Sequence, residues 1–319
     1  MKKTIIKLSI FVLLAIIVLT LYGIFISTKS FITNEIKIKN NLIENNFDGF
    51  KIVHLSDIYY GTTIKQKELK KIIEEVNLLK PDIVVITGDL ISKNITYTEK
   101  DKEDLVNILN NIDSTIGNYA IKGDNDSNIW EDIINESNFI NLNDTYNLIY
   151  NKNNIPIIIS GISFIKNSND INDKVKSFEE YIDNSEIKPC YSILLMHEPD
   201  YVKYLNTDNY NLILAGHSLG GLNTIIGRIS IEDNAKKYSN GYYKIKNTDF
   251  YVSNGLGTNK IKYRLLNKPS INFYRIVKWD INWYLISFLI FLMVMTLNIL
   301  QVLLYLALKQ SRSHQIFLL

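Results

Sequence analysis

Five short apolar runs in the middle of the chain each stop at an aspartate or a histidine. Helical patterns of apolar residues, such as those at 65–80 and 100–112, separate the earlier runs. Alternating strands and helices indicate a sheet with helices packed on it. The run DIVVIT, residues 82–87, is typical of a strand that is covered on both faces. The polar residues that end the five runs are Asp57, Asp89, Asp124, His197 and His217.

The last part of this region contains strand patterns without intervening helices. They lie at Tyr242–Ile245, Phe250–Val252 and Ile271–Ile276. Such a cluster is expected to form a second sheet that packs on the first. The pattern as a whole therefore predicts an α/β fold.

Long apolar runs lie near both ends of the 319-residue chain, at residues 5–27 and 282–308. Each is long enough to cross the hydrocarbon core of a bilayer. Positive residues lie outside both runs, at Lys2, Lys3, Lys309 and Arg312, which predicts a two-pass cell-membrane protein with both termini in the cytoplasm. The expected segments are then a cytoplasmic N-terminus (1–4), a linker (28–45), an extracytoplasmic domain (46–278) and a cytoplasmic tail (309–319). A cleaved signal peptide is the alternative for the first run, but no good cleavage site follows it.

Charge and cysteine content narrow the function classes. The formal net charge is only +2, which gives no electrostatic basis for nucleic-acid binding. A single cysteine, Cys190, excludes an internal disulfide and a cysteine-rich zinc site. Four lysines at 65, 67, 70 and 71 indicate a solvated helix face, with contact to anionic lipid headgroups as the alternative.

The residues that end the five runs have the chemistry of metal ligands. In open α/β sheets, ligands bind beyond the carboxyl ends of the strands. A single aspartate after a strand is usually a turn former or a helix cap, but five such residues at equivalent places favour a shared site. Carboxylates together with neutral imidazoles suit Mn, Fe or Zn.

The order of these residues, with their neighbours, resembles the calcineurin-like metallophosphoesterases, whose motifs are D-x-H, G-D, G-N-H-[DE], H and G-H-x-H. The matching text here is Asp57, Gly88-Asp89, Gly123-Asp124-Asn125-Asp126, His197 and Gly216-His217. The flanking HLSD, MHEPD and SNGLGT resemble a membrane-anchored bacterial subgroup. The resemblance covers residues 46–278 and implies a four-layer α/β/β/α sandwich of two mixed sheets, flanked here by two transmembrane helices.

The motifs of this chain also depart from the family pattern. Tyr59 and Leu219 stand where the family has two histidine ligands of the first metal. Asp124 replaces the asparagine of G-N-H and Asn125 replaces its histidine. The resemblance then implies the metal residues Asp57, Asp89, Asp124, His197 and His217, with one divalent ion rather than two. Asp89, Asp124, His197 and His217 are the ligands that remain for that ion, and Asp57 is a remaining ligand of the first metal position. A tyrosine packed at the pocket wall is the favoured interpretation of Tyr59, and a phenolate ligand is the alternative.

Two functions from different classes follow. The first is a membrane-anchored hydrolase of a phosphate ester or diphosphate, in which Asp57 orients or activates water and Asn125 stands in for the leaving-group histidine. Its substrate is a phosphorylated small molecule or a lipid-linked phosphate. The second is a catalytically inactive pseudoenzyme that serves as an extracytoplasmic binding or structural module, which the loss of two ligand positions and of the acid histidine supports.

Overall fold

The computed structural model of the protein describes residues 2–152, 155–186, 188–224, 227–230, 232–259, 262–264, 267–279, 287–301 and 303. The chain divides into two compact units, residues 1–278 and residues 279–319. Helix α1 (Lys2–Phe25) opens the first unit.

The first unit contains two six-stranded sheets. The strands of the first sheet, in spatial order, are β1 (Ile32–Asn40), β14 (Ser270–Lys278), β2 (Phe50–Leu55), β3 (Ile83–Thr87), β4 (Gly117–Ile121) and β5 (Phe139–Asn141). The second sheet consists of β12 (Gly241–Ile245), β13 (Thr248–Val252), β9 (Leu212–Ala215), β8 (Tyr191–Met196), β7 (Ile157–Gly161) and β6 (Thr145–Ile149). A separate hairpin pairs β10 (Leu222–Thr224) with β11 (Gly227–Ile229).

Both sheets are mixed. Strands β2 to β5 run parallel, β14 is antiparallel to β2, and β1 is parallel to β14. In the second sheet, β7, β8, β9 and β13 run parallel, while β6 and β12 are antiparallel at the two edges. The predicted α/β fold with two mixed sheets is therefore confirmed.

Helices cover the outer face of each sheet. The helices are α2 (Gln66–Leu78), α3 (Glu99–Leu109) and α4 (Trp130–Glu136) on the first sheet and α5 (Ile171–Asn184) on the second. Leu69, Ile72, Ile73 and Val76 form the buried face of α2, at the spacing that the sequence shows. A third cluster, which includes Val85 of β3 and Leu195 of β8, fills the space between the sheets. Single helical turns lie at Asn45–Phe47, Ser168–Asp170, Pro199–Tyr204 and Thr207–Asn209.

The structure corrects the expectation of a linker at residues 28–45. This interval contains β1, whose nine residues pair in register with β14, from Ile32 opposite Ser270 to Asn40 opposite Lys278. The sequence concealed this strand because it is an edge strand in which only Ile38 is buried. Its sequence, ITNEIKIKN, is mostly polar and has no apolar run, so it resembles that of a loop.

The two predicted membrane spans have different outcomes. Within α1, residues Lys3–Phe25 form a helix long and apolar enough to cross a membrane, and an 18-residue stretch of it has a mean hydropathy of 2.8. Of the second predicted span, 282–308, the described part is an apolar helix, α6 (Ser287–Gln301), which is shorter than a span. Residues 282–286, 302 and 304–308, together with Lys309 and Arg312, lie outside the described residues, so the second span is not confirmed.

Candidate metal centre

The strand ends of the two sheets meet at one edge of the domain. Asp57 follows β2 and Asp89 follows β3, while His217 follows β9 of the other sheet. All three have a left-handed backbone, with φ of +52°, +54° and +67°. Residues with side chains seldom adopt this conformation, and it is concentrated at functional sites.

Two glycines allow the loops to approach each other closely. A Cβ atom on Gly88 would lie 2.4 Å from Nδ1 of His197, and one on Gly123 would lie 2.3 Å from Oδ1 of Asp89. No side chain fits at either position, which explains why a glycine precedes Asp89 and Asp124.

Four side chains converge at this edge. The ligand atoms of Asp89, Asp124, His197 and His217 all lie within 4.8 Å of one another. Nε2 of His197 is 3.2 Å from Oδ1 of Asp124 and 3.4 Å from Oδ2 of Asp89. Nδ1 of His217 is 3.2 Å from Oδ1 of Asp124 and 3.2 Å from Nε2 of His197. The structure thus brings together four of the five residues that end the apolar runs.

Backbone carbonyl groups orient both imidazoles. Nδ1 of His197 lies 2.7 Å from the oxygen of Thr87, and Nε2 of His217 lies 2.7 Å from the oxygen of Asp233. A carbonyl oxygen only accepts, so each of these ring nitrogens carries the proton. In the neutral rings, the other two nitrogens then present lone pairs to the centre, as in metal-binding histidines.

These four side chains present hydrogen-bond acceptors to one another, so the group is stable only with positive charge among them. Burial opposes protonation of His197, but the charge of Asp89 and the hydrogen bonds to Asp124 and Asp89 raise the His197 pKa well above its usual value. Burial opposes ionisation of Asp124, yet the hydrogen bonds from His197 and His217 hold the Asp124 pKa well below its usual range. Protons on the imidazoles and a bound cation would therefore compete for the same place.

Asp57 lies beside this group rather than within it. Its carboxylate accepts the Ser56 hydroxyl at 2.5 Å and the backbone N–H of His217 at 3.0 Å. Burial and the negative charge of Asp89 raise the pKa of Asp57 to about 6, against the opposing charge of His197. The geometry gives this residue a role in holding the His217 loop.

Tyr59 and Asn125 both bind Asp89. The Tyr59 hydroxyl donates a hydrogen bond to Oδ2 of Asp89. The Asn125 side-chain amide donates to the same oxygen at 3.0 Å and to Asp124 Oδ1 at 3.1 Å. Burial and the charges of Asp89 and Asp57 raise the pKa of Tyr59 well above its usual value, so the phenol is the stable form in this structure.

A buried arginine lies near Leu219 and Asp57. The Arg264 guanidinium donates to the carbonyl oxygens of Leu219, Asn254 and Gly257, at 3.3, 2.8 and 2.6 Å for the shortest contacts. Burial lowers the pKa of Arg264 to about 10, and the charge of Asp57 opposes that shift. Arg264 is thus a cation at neutral pH on the Asp57 side of the centre.

Comparison with known proteins agrees with this arrangement. Residues 50–221, more than half of the chain, match the family model of the calcineurin-like phosphoesterases. The chain belongs to this family. The predicted resemblance is therefore confirmed, and the family binds divalent metals.

Relatives of this chain are found in bacteria and animals. The uncharacterized metallophosphoesterase YkuE of Bacillus subtilis is 30% identical over 76% of this chain and 84% of its own length. The uncharacterized metallophosphoesterase Cj0846 of Campylobacter jejuni is 29% identical, over 76% of this chain and 64% of its own length. A transmembrane protein with a metallophosphoesterase domain from Danio rerio is 23% identical, over 82% of this chain and 61% of its own length. The chain thus spans less than two thirds of the last two.

Asp126 belongs to the site although the sequence analysis gave it no role. It appears there only as the last residue of the Gly123-Asp124-Asn125-Asp126 motif. Its buried carboxylate accepts the backbone N–H groups of Gly123, Asp89 and Ile91 at 2.8, 2.9 and 3.0 Å. These bonds join the loop after β4 to the loop after β3, which carry Asp124 and Asp89. The available signal was the acidic fourth position of the family's G-N-H-[DE] motif.

We predict that Asp126→Ala lowers the free energy of unfolding by roughly 3 kcal/mol or more, since three buried N–H groups lose their acceptor. Asp126→Asn keeps one acceptor oxygen, so we expect an intermediate loss. Urea unfolding of the full chain in one detergent measures both. Equal stability of the wild type and Asp126→Ala would contradict this role.

Proposed function

We propose that this protein is a membrane-anchored, metal-dependent phosphoesterase that works with one divalent ion. The observation that carries the proposal is the convergence of four ligand atoms, from Asp89, Asp124, His197 and His217, within 4.8 Å. Two imidazoles and two carboxylates form a donor set that suits Mn, Fe or Zn. A family that hydrolyses phosphate esters makes this the first reaction to test.

The roles of the residues follow from their contacts. When bound, a divalent ion supplies a Lewis acid for the phosphate and lowers the pKa of water. The carbonyls of Thr87 and Asp233 hold His197 and His217 in the tautomer that binds a cation. Asn125 ties Asp89 to Asp124 but cannot transfer a proton at neutral pH, so departure of the leaving group lacks an acid from this position.

A cavity of about 370 Å³ opens beside the centre and supports a phosphate substrate. Asp124 and His217 line it together with two lysines, Lys93 and Lys166, and three further acidic residues, Glu198, Glu232 and Asp233. With four carboxylates in the wall, a phosphate group would need the bound cation as well as the two lysines to offset its negative charge. The substrate class we propose is accordingly a phosphate ester or diphosphate.

The hydrogen bond from Tyr59 to Asp89 supports one ion rather than two. In the family pattern, the position of Tyr59 belongs to a histidine ligand of the first metal, and Asp89 bridges both metals. Here the Tyr59 hydroxyl occupies Oδ2 of Asp89, and Leu219 offers no ligand atom at the other replaced position.

The same contacts favour a second candidate function, a non-catalytic binding module. Tyr59 occupies an oxygen that a second ion would need, and Asn125 replaces the acid histidine of the family motif. In that case the centre would bind metal or phosphate without turning it over.

Metal content and hydrolysis distinguish the two functions. We expect the purified full chain to hold about one Mn²⁺ and to hydrolyse bis(p-nitrophenyl) phosphate. The full chain is required because a fragment that begins at residue 46 would lack β1. His217→Gln removes one ligand and should weaken Mn²⁺ binding on the order of 100-fold, since even the loss of an outer contact costs 10–100-fold.

The matched control is His54→Gln, the same change at a buried histidine whose Nε2 bonds Thr87 Oγ1 at 2.7 Å. It should keep the metal. One ion without turnover would select the binding module. No bound ion in the wild type, or equal affinity in both variants, would refute the metal centre.

Restoring the family ligands should add a second ion. We predict that Tyr59→His combined with Leu219→His binds about two Mn²⁺ per chain and turns over roughly 10²–10³ times faster, by analogy with other charge-stabilising groups. Tyr59→Phe, which removes the hydroxyl without adding a ligand, is the control and should stay at one ion. A double variant that still binds one ion would show that another feature closes the first position.

We also propose that the protein crosses the membrane twice, at residues 5–27 and 282–308, with domain 46–278 outside the cytoplasm. The apolar helices α1 and α6 support this topology. In a Cys190→Ser background, a membrane-impermeant maleimide should label Asn247→Cys on intact cells and Ser313→Cys only after permeabilisation. Equal labelling of both positions on intact cells would reject the topology.

A further inference from the structure

The chain enters the first sheet at the edge that carries the metal centre. Strand β1 is parallel to β14, and β14 is antiparallel to β2. The first residues of β1 and β14 therefore lie at the edge where β2 ends and Asp57 follows. Backbone hydrogen bonds continue this edge: Ser270 N–H donates to Gly255 at 3.1 Å, and Gly257 N–H donates to Asp57 at 2.7 Å. Helix α1 thus leads directly to the site side of the domain.

The end of α1 is attached to this edge of the domain by hydrogen bonds and packing, rather than through a flexible linker. The helical turn continues past Phe25, because Lys29 and Ser30 both donate to the oxygen of Ile26. The backbone N–H of Arg264 donates to the oxygen of Gly23 at 3.1 Å, and the ring of Tyr263 packs on Gly23. Arg264 is also the residue that binds the loop near Asp57, so the anchor and the centre share one support.

A cavity lies where the anchor meets α2. It encloses about 170 Å³, comparable with a cavity that takes up a benzene ring. Phe31, Ile64 and Leu256 provide apolar wall, and Lys29, Lys67 and Lys71 provide positive charge. Glu68 is the acidic residue of the wall, and its carboxylate accepts the backbone N–H of Lys65 at 3.2 Å.

The three lysines are exposed, and within the described part of the chain none of them pairs with a carboxylate. Lys29 lies four residues beyond the apolar span that ends at Phe25, or about 6 Å along a helix. The headgroup layer of a bilayer is about 5–7 Å thick on each side. If α1 crosses the bilayer, Lys29 and the cavity wall lie at the depth of the lipid phosphates.

We propose that this cavity binds the headgroup of an anionic phospholipid from the membrane that α1 crosses. The three lysines hold the phosphate, and the apolar wall contacts the glycerol and the first acyl carbons. Phosphate alone would leave the apolar wall unused, and a zwitterionic lipid would offer no net charge to the lysines. The site is separate from the metal centre. It extends the proposed function, because a lipid bound there would hold the edge of the domain that carries the metal centre against the lipid surface.

Soluble short-chain lipids test this site in the full chain, kept in an uncharged maltoside detergent. We expect dioctanoyl phosphatidylglycerol to bind saturably, and dioctanoyl phosphatidylcholine and inorganic phosphate to bind far more weakly. Lys67→Gln combined with Lys71→Gln should weaken phosphatidylglycerol binding roughly tenfold or more, since each lysine near anionic lipid contributes about fivefold in affinity.

Lys65→Gln combined with Lys70→Gln is the matched control, because both lysines are exposed near the start of α2 yet do not line the cavity. Equal weakening in the two double variants would show a diffuse charge effect and overturn the site. Equal affinity for phosphatidylcholine would overturn the charge argument, and equal affinity for inorganic phosphate would overturn the lipid assignment.

A third variant separates this cavity from the metal centre. Asp89→Asn changes the centre and leaves the cavity wall intact, so phosphatidylglycerol should bind it as tightly as it binds the wild type. Loss of lipid binding in Asp89→Asn would place the lipid at the metal centre and reject the cavity. A wild type that binds the lipid but no metal would contradict the proposed function and leave the lipid site standing.

Discussion

The two histidines of the centre face each other with ring nitrogens 3.2 Å apart, while carbonyl oxygens bind their other nitrogens. Both rings are therefore restricted to presenting acceptors toward two carboxylates, and such an arrangement is stable only if a cation or protons lie between them. Much of the local structure serves this one constraint. Left-handed residues turn the side chains inward, Gly88 and Gly123 let the loops approach, and Asp126 joins the loops that carry the two carboxylates.

The same constraint explains the difference between the two sides of the centre. On the histidine side, the ring nitrogens of His197 and His217 face carboxylate oxygens, an arrangement that suits an ion. On the Asp57 side, the chain supplies its own donors: the Tyr59 hydroxyl to Asp89, the Ser56 hydroxyl and the His217 N–H to Asp57, and the nearby cation of Arg264. Charge that the family pattern neutralises with a metal is here offset by the protein. These donors hold the loops of Asp57 and Asp89 in place without a metal on that side.

How much of this could be predicted from the sequence differs between elements. Apolar strands such as β3 and the buried face of α2 have strong local patterns, so the α/β fold and the position of the strand ends were predicted correctly. Strand β1 was missed because it is an edge strand that buries only Ile38 and so has no apolar run. Asp57 and Asp89 look equivalent in sequence, and only the hydrogen bonds of Asp57 to Ser56 and His217 distinguish them. Contacts between residues distant in the chain decide such roles, and no local pattern encodes them.

Strand β1 matters to function because of where it places the centre. A flexible linker would let the domain reorient above the bilayer, but β1 pairs with β14 along nine residues and β14 pairs with β2, which leads to Asp57. Helix α1, these three strands and the loop of Arg264 form a continuous hydrogen-bonded connection. If α1 spans the bilayer, that connection fixes the height of the centre above the lipid. The centre would then face the layer of lipid phosphates. Access to it would depend on the pairing of β1, β14 and β2 as well as on the residues that bind the ion.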